Sequence, residues 1–109
     1  MSAGSKQKRS PLSRPRFGEI LAKEVLSLPA DGLRIYRDHA IGVLEQRCYR
    51  SEQYGIESVF VVARAGSRLL LFDDAESEFA IGEVDTDGVL RRWDLHGGLV
   101  FALRNLRRQ

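Results

Sequence analysis

A mixed α+β fold, with an amphipathic N-terminal helix packed on an antiparallel sheet of about five or six strands, is the architecture this sequence predicts. Three observations lead there. Phe17, Ile20, Leu21, Val25 and Leu28 recur at helical spacing, with Glu19 and Lys23 paired at i, i+4 on the other side. Two short apolar runs, Val59–Ala63 and Arg68–Phe72, flank Ala65-Gly66-Ser67 and suit adjacent strands of a covered sheet. Two more, Phe79–Val84 and Val89–Trp93, flank Asp85-Thr86-Asp87-Gly88, whose Asp-Gly pair readily takes the positive backbone angles of a hairpin turn.

Taken in order, residues 1–16 hold Ser, Gly, Pro and base with almost nothing apolar. They are expected as a disordered basic tail, because they cannot repay the entropy of ordering. A single domain is expected over 17–106, and residues 107–109 form a short basic C-terminal tail. Pro15 suits the first turn of the N-terminal helix, and Pro29 with Asp31-Gly32 stops it. Leu33–Arg37 alternates in strand fashion. Residues 38–50 fit either a helix capped by Asp38, with a stripe of Ile41, Leu44 and Cys48, or the return strand of a hairpin turning at His39. Gly42 and the β-branched Ile41 and Val43 favour the strand. After the break at Gly97-Gly98, Leu99–Leu106 fits a strand through Leu99, Phe101 and Leu103, or a short helix through Leu99, Leu103 and Leu106, with the strand slightly favoured. One face of the sheet can take the N-terminal helix; for the other the sequence supplies no clear cover.

The length of 109 residues leaves room for one small core, burying roughly 60–65% of the unfolded chain's surface. A hydrophobic share of 43% and a charged share of 29% belong to an ordinary globular domain. Cys48 is the only cysteine, so no intramolecular disulfide forms and a reducing compartment is favoured. No apolar run approaches the ~20 residues of a membrane span, and no secretory h-region follows the basic N-terminus. A cytoplasmic location without membrane partners is the expectation.

Charge carries the functional signal. The formal net charge is only +2, yet 7 of the 17 basic residues lie outside 17–104, while all 15 acids lie within it. The folding part therefore carries an excess of acid, and Asp73, Asp74, Glu76, Glu78, Glu83, Asp85 and Asp87 follow one another with no base among them. Held on one surface, they would meet a cation-rich protein, with Phe79 or Trp93 as an apolar anchor. In size and charge the chain is similar to small toxin-immunity proteins, with no shared motif that carries residues over. The expectation is thus a non-enzymatic protein-binding module, an immunity- or antitoxin-like inhibitor that blocks a basic toxin nuclease; self-association into a homodimer is left open. The rival expectation is a nucleic-acid-associated module working through its basic ends: Lys6, Lys8, Arg9, Arg14 and Arg16 as an N-terminal arm, with Arg104, Arg107 and Arg108 at the other end.

Other chemistries find little support. Asp85-Thr86-Asp87-Gly88 begins like a calcium loop, but its glycine comes two positions early and no bidentate Glu follows, so neither a metal nor a cofactor is expected. Cys48, His39 and His96 lie in no nucleophile motif, and Gly97-Gly98 lacks the Lys-Ser/Thr of a phosphate loop. No catalytic residue is expected.

Overall fold

The computed structural model describes residues 12–108; the N-terminal eleven residues, which include Lys6, Lys8 and Arg9, and Gln109 lie outside the described residues. Along the chain come α1 (Arg14–Leu26), α2 (Ala30–His39), β1 (Ala40–Ser51), β2 (Gly55–Ala65), β3 (Arg68–Asp73), β4 (Glu78–Val84), β5 (Leu90–Gly97) and α3 (Leu99–Arg107). The fold is mixed α+β, and its five strands close into a barrel in the order β1-β2-β3-β4-β5. Successive strands pair antiparallel, but the seam is parallel: β5 returns beside β1 through Cys48 and Leu90.

Closure supplies the cover that the second face of the sheet lacked. Strand side chains alternate between faces, so Cys48, Val59, Val61, Leu69, Leu71, Ala80 and Leu90 fill the barrel. The opposite faces of β2, β3 and β4 put Val62, Ala63, Leu70, Phe72, Phe79 and Ile81 into a second cluster with Phe17, Leu21, Ile35 and four residues of α3. Phe17 is fully buried. Its ring stacks on Phe60 at 4.8 Å between centroids and is tilted against Phe72 at 5.3 Å.

Two segments expected as strands are helices. Leu33–Arg37 lies inside α2, whose inward stripe is Gly32, Ile35, Tyr36 and His39 at i, i+3, i+4, i+7. A five-residue window shows only alternation; the helical period needs the full ten. The first helix ends at Leu26 with Ser27 as its C-cap, and Pro29, expected to stop it, is the N-cap of the second, which takes in Asp31-Gly32. Leu99–Leu106 lies inside α3, with Leu99, Ala102, Leu103 and Leu106 all buried on one stripe. Val100 approaches Gly32 so closely that a Cβ on that glycine would sit 3.2 Å from its Cγ2, which explains a glycine inside α2. Residues 40–51 form the favoured strand, and Gly42 takes φ +80 at an irregularity in its pairing. The first helix starts at Arg14, inside the segment assigned to the tail, with the Ser13 side chain accepting from the Arg16 amide.

The close approach of β5 to β4 leaves no volume at Gly82. A Cβ there would meet Leu90 Cδ1 at 2.7 Å and the Arg92 carbonyl oxygen at 2.8 Å. Gly82→Ala is expected to lower stability by about 1–3 kcal/mol in urea denaturation, whereas Gly18→Ala, which meets nothing within 4 Å, is expected to be neutral or slightly stabilising.

Candidate functional site

The alternation that fills the barrel also charges one of its mouths. Arg50 follows Cys48 by two residues on β1, Asp73 follows Leu71 by two on β3, and Glu57 precedes Val59 by two on β2. Each therefore continues an apolar interior column as an ionisable group. Arg50 Nη1 donates to Asp73 Oδ1 at 2.9 Å, Nη2 to Asp74 Oδ1 at 3.1 Å and Nε to Glu57 Oε1 at 3.3 Å. The Arg50 guanidinium also lies 5.3 Å from the centre of the Trp93 ring, within cation–π range.

Asp73 is the hub of this layer. It is 3% exposed, and both of its oxygens are used: Oδ1 also accepts from the Ala75 amide at 3.1 Å, while Oδ2 accepts from Trp93 Nε1 at 2.8 Å and meets His96 Nε2 at 3.0 Å. Burial by itself would raise its pKa; the hydrogen bonds from Trp93, His96 and Arg50, with the charge of Arg50, outweigh this and hold it at about 2. A bulge aims His96. Between Ile81 and Phe79 the partner strand β5 runs from Asp94 to Gly97, one residue longer than β4, and Leu95 absorbs the excess at φ 59.

The seven carboxylates of the acidic run do not form one surface. Asp73 is buried and Asp74 is tied to Arg50. β4 then carries the chain from Glu78 to Val84 across the barrel, roughly 20 Å at about 3.3 Å per residue. Asp74, Glu76 and Glu78 thus belong to the β3–β4 end, and Glu83, Asp85 and Asp87 to the other. There Arg91 Nε meets Asp85 Oδ2 at 3.1 Å, and Arg91 Nη2 also pairs with Asp87, whose pKa that bond lowers. Trp93 is half-buried, with its indole N–H committed to Asp73.

Beside the charged mouth, a groove of about 910 Å³ runs between α1, the β3–β4 turn and the Gly97-Gly98 link. Glu24, Asp74 and Glu78 line it against a single base, Arg16, and the half-buried Leu12 and Ile20 with Phe72 and Phe79 provide its apolar part. The groove unites Asp74, Glu78 and Phe79, three of the expected partner-binding residues, with Arg16 from the rival set. Ser77 sits on its rim at φ 56. Arg14, also in the rival set, donates to the Val43 carbonyl at 2.7 Å and pairs with Glu45 at 3.3 Å.

Cys48 is fully buried in the barrel, and burial pushes its thiol pKa up, which disfavours the nucleophilic thiolate. His39 Nδ1 lies 3.1 Å from the Arg64 carbonyl oxygen. Among the described residues no three His, Cys, Asp or Glu side chains are placed to hold a metal ion, and no helix is long and apolar enough to cross a membrane. No family model, curated protein or solved structure matches the chain.

The inward layer is written in the sequence, but the acidic residues that follow Asp73 mask its parity with Leu71. The available signal was an ionisable residue two positions beyond an apolar strand residue on three strands at once.

Asp73 sets an acid dependence of stability. Its folded pKa, about 2, lies below the ordinary value of 3.8, so its contribution is complete above about pH 4 and is lost as pH falls through about 2. Asp73→Asn is expected to cost about 2–4 kcal/mol at pH 7 and to flatten that acid transition, both read from the fluorescence of Trp93, the only tryptophan in the chain. Leu95→Gly relieves the positive φ and is expected to raise stability by up to about 1 kcal/mol in the same denaturation experiment.

Proposed function

We propose that this chain is a non-enzymatic binding module whose groove beside the β3–β4 turn receives a basic segment of a protein partner. The observation that carries this reading is the composition of the groove: three carboxylates and one base around an apolar floor, next to the exposed Glu76. Arginine or lysine side chains of the partner would meet Glu78 and Glu76, while an apolar residue beside them rests on Leu12 and Ile20. The rigid layer behind the groove favours this role, since Arg50 fixes Asp74 before any partner arrives and little ordering cost is left for binding. Glu83, Asp85 and Asp87 take no part in it, because β4 carries them to the far end.

The particular form of the proposal is an immunity- or antitoxin-like inhibitor acting in the cytoplasm. A nuclease toxin binds its polyanionic substrate in a cation-rich cleft, and a carboxylate-lined groove with an apolar floor is complementary to the rim of such a cleft. Inhibition would be steric, with charge speeding the encounter.

The test is affinity capture from the native cell with wild-type protein and with Glu76→Lys/Glu78→Lys, followed by kinetics on the captured species. A basic protein retained by the wild type, with an association rate at least about tenfold lower for the double variant and falling with salt, supports the reading. Suppression of that protein's nuclease activity at one-to-one stoichiometry supports the inhibitor form. An identical captured set and equal rates for both proteins would overturn the groove as the docking site.

A further inference from the structure

The end of the barrel opposite the charged mouth carries a second cleft, of opposite sign. It has a volume of about 900 Å³ and is lined by His39, Arg64, Arg68, Arg107 and the turn Ala65-Gly66-Ser67, with Glu83 as its one acid. Three elements converge to build it: the C-terminal ends of α2 and α3, and the tight turn between β2 and β3, where Gly66 takes φ +60.

Four arginines elsewhere in the fold, Arg14, Arg50, Arg91 and Arg104, are tied to carboxylates, as those of this cleft are not among the described residues. Arg64 and Arg68 instead donate to backbone carbonyls: Arg64 Nε to Gly66 at 2.8 Å, and Arg68 Nη1 to Leu106 at 3.5 Å and to Arg108. A neutral carbonyl orients a guanidinium without cancelling its charge, so the remaining N–H groups stay aimed and cationic. The Arg107 side chain makes no ion pair or hydrogen bond among the described residues, and the exposed Arg108 and Arg37 extend the positive charge beyond the rim.

We propose that this cleft binds the phosphodiester backbone of nucleic acid, with Arg64 and Arg107 contacting phosphates and Arg68 positioned behind them. Guanidinium forks match phosphate oxygens bidentately. The volume lies at the upper end of the range of about 300–1,000 Å³ that suits single small molecules, and cations continue past it, as a chain of phosphates requires. No Phe, Tyr or Trp lines the cleft, and the His39 ring is held against the Arg64 carbonyl, so recognition runs through the phosphates and is independent of sequence. The cleft shares no residue with the acidic groove, so it stands or falls apart from the protein-binding proposal.

Fluorescence anisotropy tests it with the full chain, a labelled 20-nucleotide oligouridylate and a labelled 20-base-pair DNA duplex, at salt from 50 to 200 mM. Arg64→Glu/Arg107→Glu is expected to weaken binding of at least one probe more than tenfold, and Arg64→Ala/Arg107→Ala to lower the salt slope by about two. Comparing the two probes tells single strand from duplex. Both positions are exposed at the chain's surface, and unchanged thermal melts show that the variants fold. A wild-type chain that binds neither probe at 50 mM salt overturns the proposal. So does binding that survives both cleft variants but is lost on Lys6→Glu/Lys8→Glu/Arg9→Glu, which would assign the affinity to the N-terminal segment.

Discussion

Arg50 and Asp73 stand two residues beyond Cys48 and Leu71, so the alternation that fills the barrel with apolar side chains delivers a guanidinium and a carboxylate to its mouth. β3 pairs with β4 without a register shift from Arg68 to Asp73, so nothing moves Asp73 off the inward column. Given those residues at that parity, the barrel closes only if the charges satisfy one another. The ring of bonds from Arg50 to Asp73, Asp74 and Glu57, and from Trp93 and His96 to Asp73, does so, and no buried side-chain polar atom among the described residues lacks a partner. Removing one member would strand the others away from water, where an uncompensated charge costs several kcal/mol. The layer also joins β1, β3 and β5, which is what a closed barrel needs at an end where the parallel seam is a single residue pair.

From this constraint follows the polarity of the molecule. β3 starts at Arg68, held by the carbonyls at the end of α3, and finishes at Asp73 in the ion-paired layer. The six residues of β3 therefore reach from an arginine-lined cleft to a carboxylate-lined groove. The small formal charge of the chain conceals a carboxylate-lined groove at one end and an arginine-lined cleft at the other. The bulge at Leu95 belongs to the same economy: a positive φ in a non-glycine residue costs about 1 kcal/mol, and it turns His96 onto a carboxylate that would otherwise lack one of its bonds.

Much of the strand framework was legible locally. Val59–Ala63, Arg68–Phe72 and the Asp-Gly hairpin show both period and turn chemistry within a few residues. Leu33–Arg37 and Leu99–Leu106 were less legible because the stripes that decide them, Gly32-Ile35-Tyr36-His39 and Leu99-Ala102-Leu103-Leu106, include a glycine, a histidine and an alanine that score weakly as apolar. Their burial depends on the partner surface: Gly32 is inward because Val100 presses on it. The candidate site was legible only in part. Asp74, Glu78 and Phe79 do line one groove, but Asp85 and Asp87, ten or so positions away in sequence, are put out of reach by a strand that runs between them.

By itself the sequence determined which short segments prefer extended or helical backbone, where turns fall, and that acid is concentrated within the folding part, since these depend on neighbouring residues alone. Only the tertiary structure decided that the sheet closes on itself, that Asp73 is an interior ion-pair partner and not a surface charge, and that cationic side chains from three elements meet in one cleft. Those outcomes rest on pairings between residues distant along the chain, such as Cys48 with Leu90 and Arg50 with Asp73, whose energies exist only once the intervening strands have brought them together.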